Sequence, residues 1–394
     1  MHERLDLLSP EVRANPYPYY AELRRSAPVC QVDPGGMWAV SRHDDVAFVL
    51  RNAELFSSQG VRASLSAPWL EHNPIADSMV GMDPPLHTRN RALVARAFST
   101  RVVPRMEALM RRVAREFVDA LTPGRELDFC AELAIAMPSA VIATLLGLDP
   151  SLRSRFRHWA DDVVVIRSAS TPERIESIKT TVSDLDRYLR EVLAARRVAP
   201  QDDVVTDLLA AEPGGAALTE SEIVSFLHLL LIAGLETTTH LLSNGLRLLM
   251  ERPALEERLR RDLSLVPAFV EEVLRFEAPT PAAGRVTLHE VTLGGVTLPR
   301  GAPIAALMGS ATRDETRYPD PDVFDIDRPR QLLLAFGNGP HACLGAPVVR
   351  AEGRIAFEAI LSLPGRFERV DRPLDWIASM LVRGPRELWV RYVT

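Results

Sequence analysis

Lysine is nearly absent from this 394-residue chain. Of its 46 basic residues only Lys179 is a lysine, and the other 45 are arginine. There is no Gly-Lys pair, so a phosphate loop of the Gly-x-x-x-x-Gly-Lys-Ser/Thr kind is excluded. Schiff-base chemistry would have to use Lys179, which lies in the polar stretch Ser168–Thr181, a poor place for a desolvated amine. Cysteine is scarce as well. Cys30, Cys130 and Cys343 are far apart and odd in number, which argues against a disulfide framework; no Cys-x-x-Cys pair is present for structural zinc. The net charge is −6, without a basic run or basic–aromatic interleaving, so nucleic acid is not an expected partner. Met1–Tyr20 is polar, carries Pro10, Pro16 and Pro18, and lacks the apolar core of a signal peptide. The most apolar run, Leu133–Leu148, is short for a membrane span and contains Pro138. These absences predict a cytoplasmic protein with no membrane or nucleic-acid partner.

What is present is the composition of a globular protein, with 47% hydrophobic and 25% charged residues. No repeat, linker or composition shift marks a boundary, so residues 1–394 read as a single domain. Arginine stays protonated and pairs in a forked geometry with planar oxyanions. Its abundance directs attention to a bound carboxylate or phosphate, although codon usage alone also produces such a bias.

The pattern is mostly helical. Helices are expected over Arg91–Phe98, Val102–Leu121, Leu127–Leu146, Val182–Val198, Ala254–Glu277 and Ala346–Leu363. Short strands are expected at Val29–Val32, Met37–Val40, Val286–Leu288, Val291–Leu293, Val296–Leu298, Pro303–Leu307 and Leu388–Val393, several of them separated by glycine turns. Ser57–Pro84 and Ser168–Thr181 read as loops or short helices. The clearest helix runs from about Thr219 to Met250. Thr219-Glu220-Ser221-Glu222 is a capping box, and Phe226–Leu235 is apolar nearly all round, as in a buried helix.

Four constellations carry chemistry. The first is Phe336-Gly337-Asn338-Gly339-Pro340-His341-Ala342-Cys343-Leu344-Gly345. Its glycines allow close backbone approach to a flat ligand, and its cysteine reaches the N-terminus of a helix, where a thiolate is favoured. A lone cysteine near glycine is weak; the whole Phe-x-x-Gly-x-x-x-Cys-x-Gly pattern is specific. The second is Ala233-Gly234-Leu235-Glu236-Thr237-Thr238 inside the long helix. The third is Glu272-Val273-Leu274-Arg275, whose charged ends share a helix face. The fourth is the segment Met82–Arg91, with His87 and Arg91 one turn apart, together with Arg285 in Gly284-Arg285-Val286. Alone, each of the last three reads as packing or as an ordinary surface or core residue.

Together, and in this order, they resemble the cytochrome P-450 superfamily from end to end. The resemblance implies a mainly α, single-domain helical prism with small β-sheets. It implies a b-type haem (iron protoporphyrin IX) held by Cys343 as metal ligand, with Phe336, Gly337, Gly345 and Ala233 beside it. His87, Arg91, Arg285 and His341 would grip the propionates, which as buried carboxylates need paired charge. Thr237 would hydrogen-bond the activated oxygen and Glu236 would relay protons, since O–O heterolysis needs protons without bulk water. Glu272 and Arg275 would form a buried structural pair joined to the irregular segment that contains Arg328.

The reaction implied is monooxygenation: one atom of O2 enters a small molecule and the other leaves as water. Electrons are expected from a separate ferredoxin and ferredoxin reductase, with Arg89 and Arg350 as candidate docking cations, and the protein is expected to be a monomer. Substrate contacts would come from Ser57–Val80, Ser168–Thr181, Leu229–Ala233, Pro279–Ala283 and Ala378–Leu381. Val80, Leu229, Ile232, Ala282 and Met380 are the residues singled out, and they suggest a lipophilic molecule. Glu71 and Arg174 read as surface charges of those loops, His228 and His240 as packing or surface residues, and Cys30 and Cys130 as structural. The alternatives are another haem-thiolate outcome (peroxygenase, desaturase, ring coupling) or a non-enzymatic haem sensor or carrier.

Overall fold

The computed structural model describes residues 4–70, 73–97, 102–149, 171–211, 217–329 and 331–394, with Arg155, Trp159 and Asp162 besides. The chain divides into two compact units. The first comprises Met1–Phe56, Met110–Met137 and Thr237–Thr394; the second comprises Ser57–Leu109 and Pro138–Glu236.

The first unit contains the strands. A mixed sheet runs in the order Val29–Val32, Met37–Val40, Pro303–Ala306, Ala283–Thr287, Phe56–Ser57. The first two strands form an antiparallel hairpin pairing Val29 with Val40, and Met37–Val40 then pairs in parallel with Pro303–Ala306. Successive side chains alternate faces, as a pleated strand requires. Val40, Ile304 and Ala306 pack on one side with Val46, Leu50 and Phe56. Ala39 and Ala305 pack on the other side with Tyr20, Ala282 and Leu307. A second sheet places Trp389–Val393 between Glu126–Asp128 and Arg366–Arg369, and Val291–Leu293 and Val296–Leu298 make a separate hairpin.

Helices Val266–Phe276 and Ala346–Leu361 pack with Phe269 edge-on to Phe357, centroids 5.0 Å apart. The former carries the expected Glu-x-x-Arg pair. Arg275 Nε and Nη2 each donate to Glu272 at 2.7 Å, and both residues are buried. The remaining Arg275 donors reach the carbonyls of Thr312, Pro321 and Val323, while Glu272 accepts the Asp325 amide at 2.8 Å and lies 3.5 Å from Arg328 Nε. The irregular run after Thr312 has no ladder of its own; this pair satisfies its backbone instead.

The second unit is helical: Gln59–Leu65, Leu86–Ala97, Pro172–Val198 and Val204–Leu209, with the start of the long helix Glu220–Met250. That helix begins at the predicted box. The Thr219 amide donates to Glu222 Oε2 at 2.8 Å, and the Glu222 amide donates to Thr219 Oγ1 at 3.2 Å. It is long and apolar enough to cross a membrane, yet 61% of its most apolar window is buried within the protein, which marks it as a core helix.

Several expected boundaries shift. The helix expected from Arg91 starts at Leu86, and the strand expected at Val286–Leu288 is Ala283–Thr287. The Val182–Val198 helix starts at Pro172, capped by Thr171, so Lys179 and the described part of Ser168–Thr181 are helical. Buried Ile178 and Val182 continue the stripe of Leu185 and Leu189 through a polar-looking turn, and proline suits the first helical position. Leu127–Leu146 is not one helix. Glu126–Asp128 is a strand, Cys130–Ala134 is a π turn, and only Ala136–Leu145 is α-helical. Ala254–Glu277 is broken after Arg261, where the Asp262 side chain caps a short 3-10 turn and Pro267 opens the next helix.

Replacing Glu272 by alanine leaves Arg275 and its bonded segment with an uncompensated buried charge. Urea denaturation is expected to show a loss of about 3–5 kcal/mol, against well under 1 kcal/mol for the exposed pair Arg261–Glu257.

Candidate functional site

The first unit supplies the cysteine loop. Leu334–Phe336 and Gly339–His341 are single 3-10 turns, and helix Ala346–Leu361 follows. The Cys343 amide donates to the Phe336 carbonyl at 2.9 Å, which closes the loop. Gly339 has φ +73°, and a Cβ there would lie 2.7 Å from the Arg51 backbone, so only glycine lets the loop rest on helix His43–Arg51. Of the three cysteines, Cys343 alone is exposed; Cys130 is buried, its Sγ 3.1 Å from Ser243 Oγ, and burial pushes its thiol up to about 12. Phe336 is half-buried beneath the Arg350 guanidinium at 4.6 Å, and His341 is half-buried at the end of its turn.

The same unit holds Arg285, buried in strand Ala283–Thr287 with Nη1 donating to Gly284 O at 2.7 Å. It also brings together Ala282 and Met380, which share an apolar cluster with Leu7, Tyr20 and Leu307.

The second unit supplies helix Leu86–Ala97. His87 is buried, and Arg91, one turn on, is half-buried. Its approach is fixed by Asp83, which accepts the Ser57 hydroxyl and, at 2.8 Å, the Ser58 amide. Val80, Leu229 and Ile232 join one cluster with Trp69, Ile75, Ile178 and Val182. The long helix is not buried all round as expected. Leu229, Glu236 and Thr237 are half-buried and Ala233 is exposed, so positions three and four apart form an accessible stripe, flanked by half-buried Leu230, Ile232 and Gly234. The helix stays α-helical through Gly234. A Cβ there would come 2.4 Å from Ile142 Cδ1, so the glycine serves close packing against helix Ala136–Leu145.

Residues 7–368 match the Cytochrome P450 family. The chain belongs to the cytochrome P450 family. It is 39% identical to the structure of cytochrome P450 CYP109Q5 from Chondromyces apiculatus, with a TM-score of 0.93 over 100% of this chain and 99% of that one. It is 36% identical to CYP109E1 from Bacillus megaterium in complex with corticosterone, with a TM-score of 0.86 over 98% and 100% of the two chains. It is also 35% identical to the cyclomarin C epoxidase CymV of Salinispora arenicola, over 94% of each chain. As a P450 it is a haem-thiolate monooxygenase, with the helical architecture and small sheets that the sequence implies.

The residues fit a flat, thiolate-held group. Cys343 is exposed at the tip of the loop, and a Cβ on Gly345 would project to 3.9 Å from its Sγ, so glycine leaves that surface bare. Gly337, at φ +71°, has nothing nearer to its missing Cβ than His341 O at 3.8 Å.

Other expectations change. Arg89 already has partners within the chain: its guanidinium bonds Glu222 at 2.8 Å and the Ala217 carbonyl at 2.7 Å. Arg350 is paired with Glu271 at 2.5 Å. Arg174 stands in the first turn of its helix with Nη1 2.7 Å from buried Asp162, and Glu71 lies outside the described residues. His228 and His240 are both packed in the core; burial lowers His240 to about 4.

Sequence reasoning missed Glu352. It sits on the buried face of the helix after Cys343 and accepts the Thr238 hydroxyl at 3.2 Å, while its Oε1 finds no partner among the described residues. The signal was a lone acid amid Val348, Val349, Ala351 and Ile355. Burial raises its carboxyl to about 8, so it is predominantly protonated at neutral pH. The unfolded chain releases this proton near 4.5 and the folded chain retains it to about 8. Its contribution to stability is thus full below that interval and lost as pH rises through it. Urea midpoints at about pH 6 and about pH 9 should converge in Glu352→Gln, while the native residue loses stability at the higher pH.

Proposed function

We propose that this P450 inserts one oxygen atom from O2 into a lipophilic small molecule, drawing electrons from a separate ferredoxin and its reductase. The observation that carries this reading is the accessible stripe of the long helix, where Glu236 and Thr237 follow Leu229 and Ala233. A carboxylate and a hydroxyl next to apolar surface suit proton delivery to oxygen away from bulk water.

In this reading Cys343 holds a b-type haem, which when bound supplies O2 activation by its thiolate-ligated iron. Phe336, Gly337, Gly345 and Ala233 border it. His87, Arg91, Arg285 and His341 neutralise the two propionates. Thr237 donates its hydroxyl proton toward oxygen, and Glu236 takes a proton from solvent and returns it to Thr237. Val80, Leu229, Ile232, Ala282 and Met380 exclude water and orient the substrate. The corticosterone complex of the Bacillus megaterium relative supports a lipophilic substrate of that size class. In this reading residues 1–394 are a single domain, and the protein works as a cytoplasmic monomer.

Thr237→Ala is expected to keep substrate binding while product formed per electron pair consumed falls by roughly tenfold and peroxide is released. Full coupling in that variant, measured as product against reductant and peroxide, removes Thr237 from the role. Cys343→Ser should lose the reduced carbon monoxide band of thiolate ligation.

Truncating Met380 or Leu229 to alanine is expected to weaken a steroid-induced spin-state shift by roughly tenfold in Kd. An unchanged titration with corticosterone in both variants would remove these residues from the substrate wall.

A further inference from the structure

Two loops of the first unit carry the substrate residues assigned above, Ala282 and Met380. The first runs into strand Ala283–Thr287 and the second is closed at its base by its own backbone pairing. Between the two stands one buried carboxylate, Glu277, which directly follows helix Val266–Phe276. Its Oε1 accepts Arg383 Nε at 2.6 Å and the Tyr17 hydroxyl at 2.8 Å, and its Oε2 accepts Arg247 Nη2 at 2.7 Å.

Glu277 stands five residues before Ala282, and Arg383 three residues after Met380. The Arg383 amide also donates to the Pro279 carbonyl at 2.8 Å, and Asn244 Nδ2 bonds the carbonyls of both Glu277 and Arg383, at 3.4 and 3.0 Å. The base of the second loop is closed by the Trp376–Pro385 bridge, with the Arg383 guanidinium 4.1 Å over the Trp376 ring. A cavity of about 30 Å³ remains beside Tyr20, Ala282, Leu307 and Met380, room for about one water.

We propose that Glu277 is a positioning residue that sets the separation of the Ala282 and Met380 loops, and through it the substrate specificity of the site. This rests on the reading of Ala282 and Met380 as substrate contacts. A buried ionic network is weak as a source of stability, because apolar packing of equal volume does as well. What it adds is direction: a short charge-assisted bond ties Glu277, just before the first loop, to Arg383, just after Met380 in the second. Burial pushes the Glu277 carboxyl up, but Arg383, Arg247 and Arg313 outweigh it and hold the group at about 2. The clamp is therefore charged at all ordinary pH values.

The test uses haem-loaded enzyme and two azoles that ligate iron: imidazole, too small to reach the loops, and clotrimazole, whose triphenylmethyl body presses on them. Arg383→Lys and Glu277→Gln are expected to raise the clotrimazole Kd roughly tenfold and leave the imidazole Kd and the carbon monoxide band unchanged. Tyr17→Phe removes one bond without unpairing a charge. It should move the clotrimazole Kd in the same direction by a smaller factor, and it serves if the other variants fail to load haem. Met380→Ala is the control for the underlying reading. If Met380→Ala shifts clotrimazole and the clamp variants do not, the proposal falls and the contact assignment stands. If Met380→Ala changes nothing, the contact assignment falls and takes the proposal with it. Equal weakening of both azoles in the clamp variants means general loosening and also overturns it.

Discussion

Buried guanidinium–carboxylate pairing is the interaction on which this structure depends. The first unit contains long stretches without helix or sheet, and their backbone groups need partners. Glu272 and Arg275 supply them for the carbonyls of Thr312, Pro321 and Val323 and for the Asp325 amide, while Glu277 and Arg383 pair side chain to side chain between the loops around Pro279 and Met380. Arginine suits this task better than lysine because its planar fork serves several acceptors at once. Arg275 alone bonds a carboxylate and three carbonyls.

The long helix Glu220–Met250 shows how one element can be both core and reactive surface. Most of its faces are closed by apolar packing, and Gly234 brings a neighbouring helix close. One stripe stays open, and Glu236 and Thr237 of the oxygen motif occur on that stripe. Thr238, one residue on, turns inward to a protonated Glu352. Neighbouring threonines thus have different surroundings because a helix rotates about 100° per residue.

Much of this was readable in the sequence. Four strands, Val29–Val32, Met37–Val40, Val291–Leu293 and Val296–Leu298, fall within their expected bounds because turn glycines or proline punctuate them. The cysteine loop and the capping box were readable because each is a specific local pattern, whereas the buried role of the Glu-x-x-Arg pair came from the family resemblance and not from its spacing. Strand Glu126–Asp128 was hidden in an apolar run, since its partner Trp389–Val393 is distant in the chain and periodicity cannot report it. The start of helix Pro172–Val198 was hidden by a polar turn whose buried face is only Ile178. The partners of Arg89, Arg174 and Glu277 were not legible, because an ion pair between remote residues leaves no trace in spacing.

The Arg89–Glu222 contact carries a mechanical consequence. Glu222 is the reciprocal member of the box that caps the long helix, and Arg89 is on the Leu86–Ala97 helix that presents His87 and Arg91. The two helix starts are therefore latched together through one carboxylate. Drawing the Leu86–Ala97 helix outward breaks the Arg89–Glu222 pair and leaves Glu222 with its reciprocal bonds to Thr219, so one carboxylate joins two segments separated by more than a hundred residues of chain.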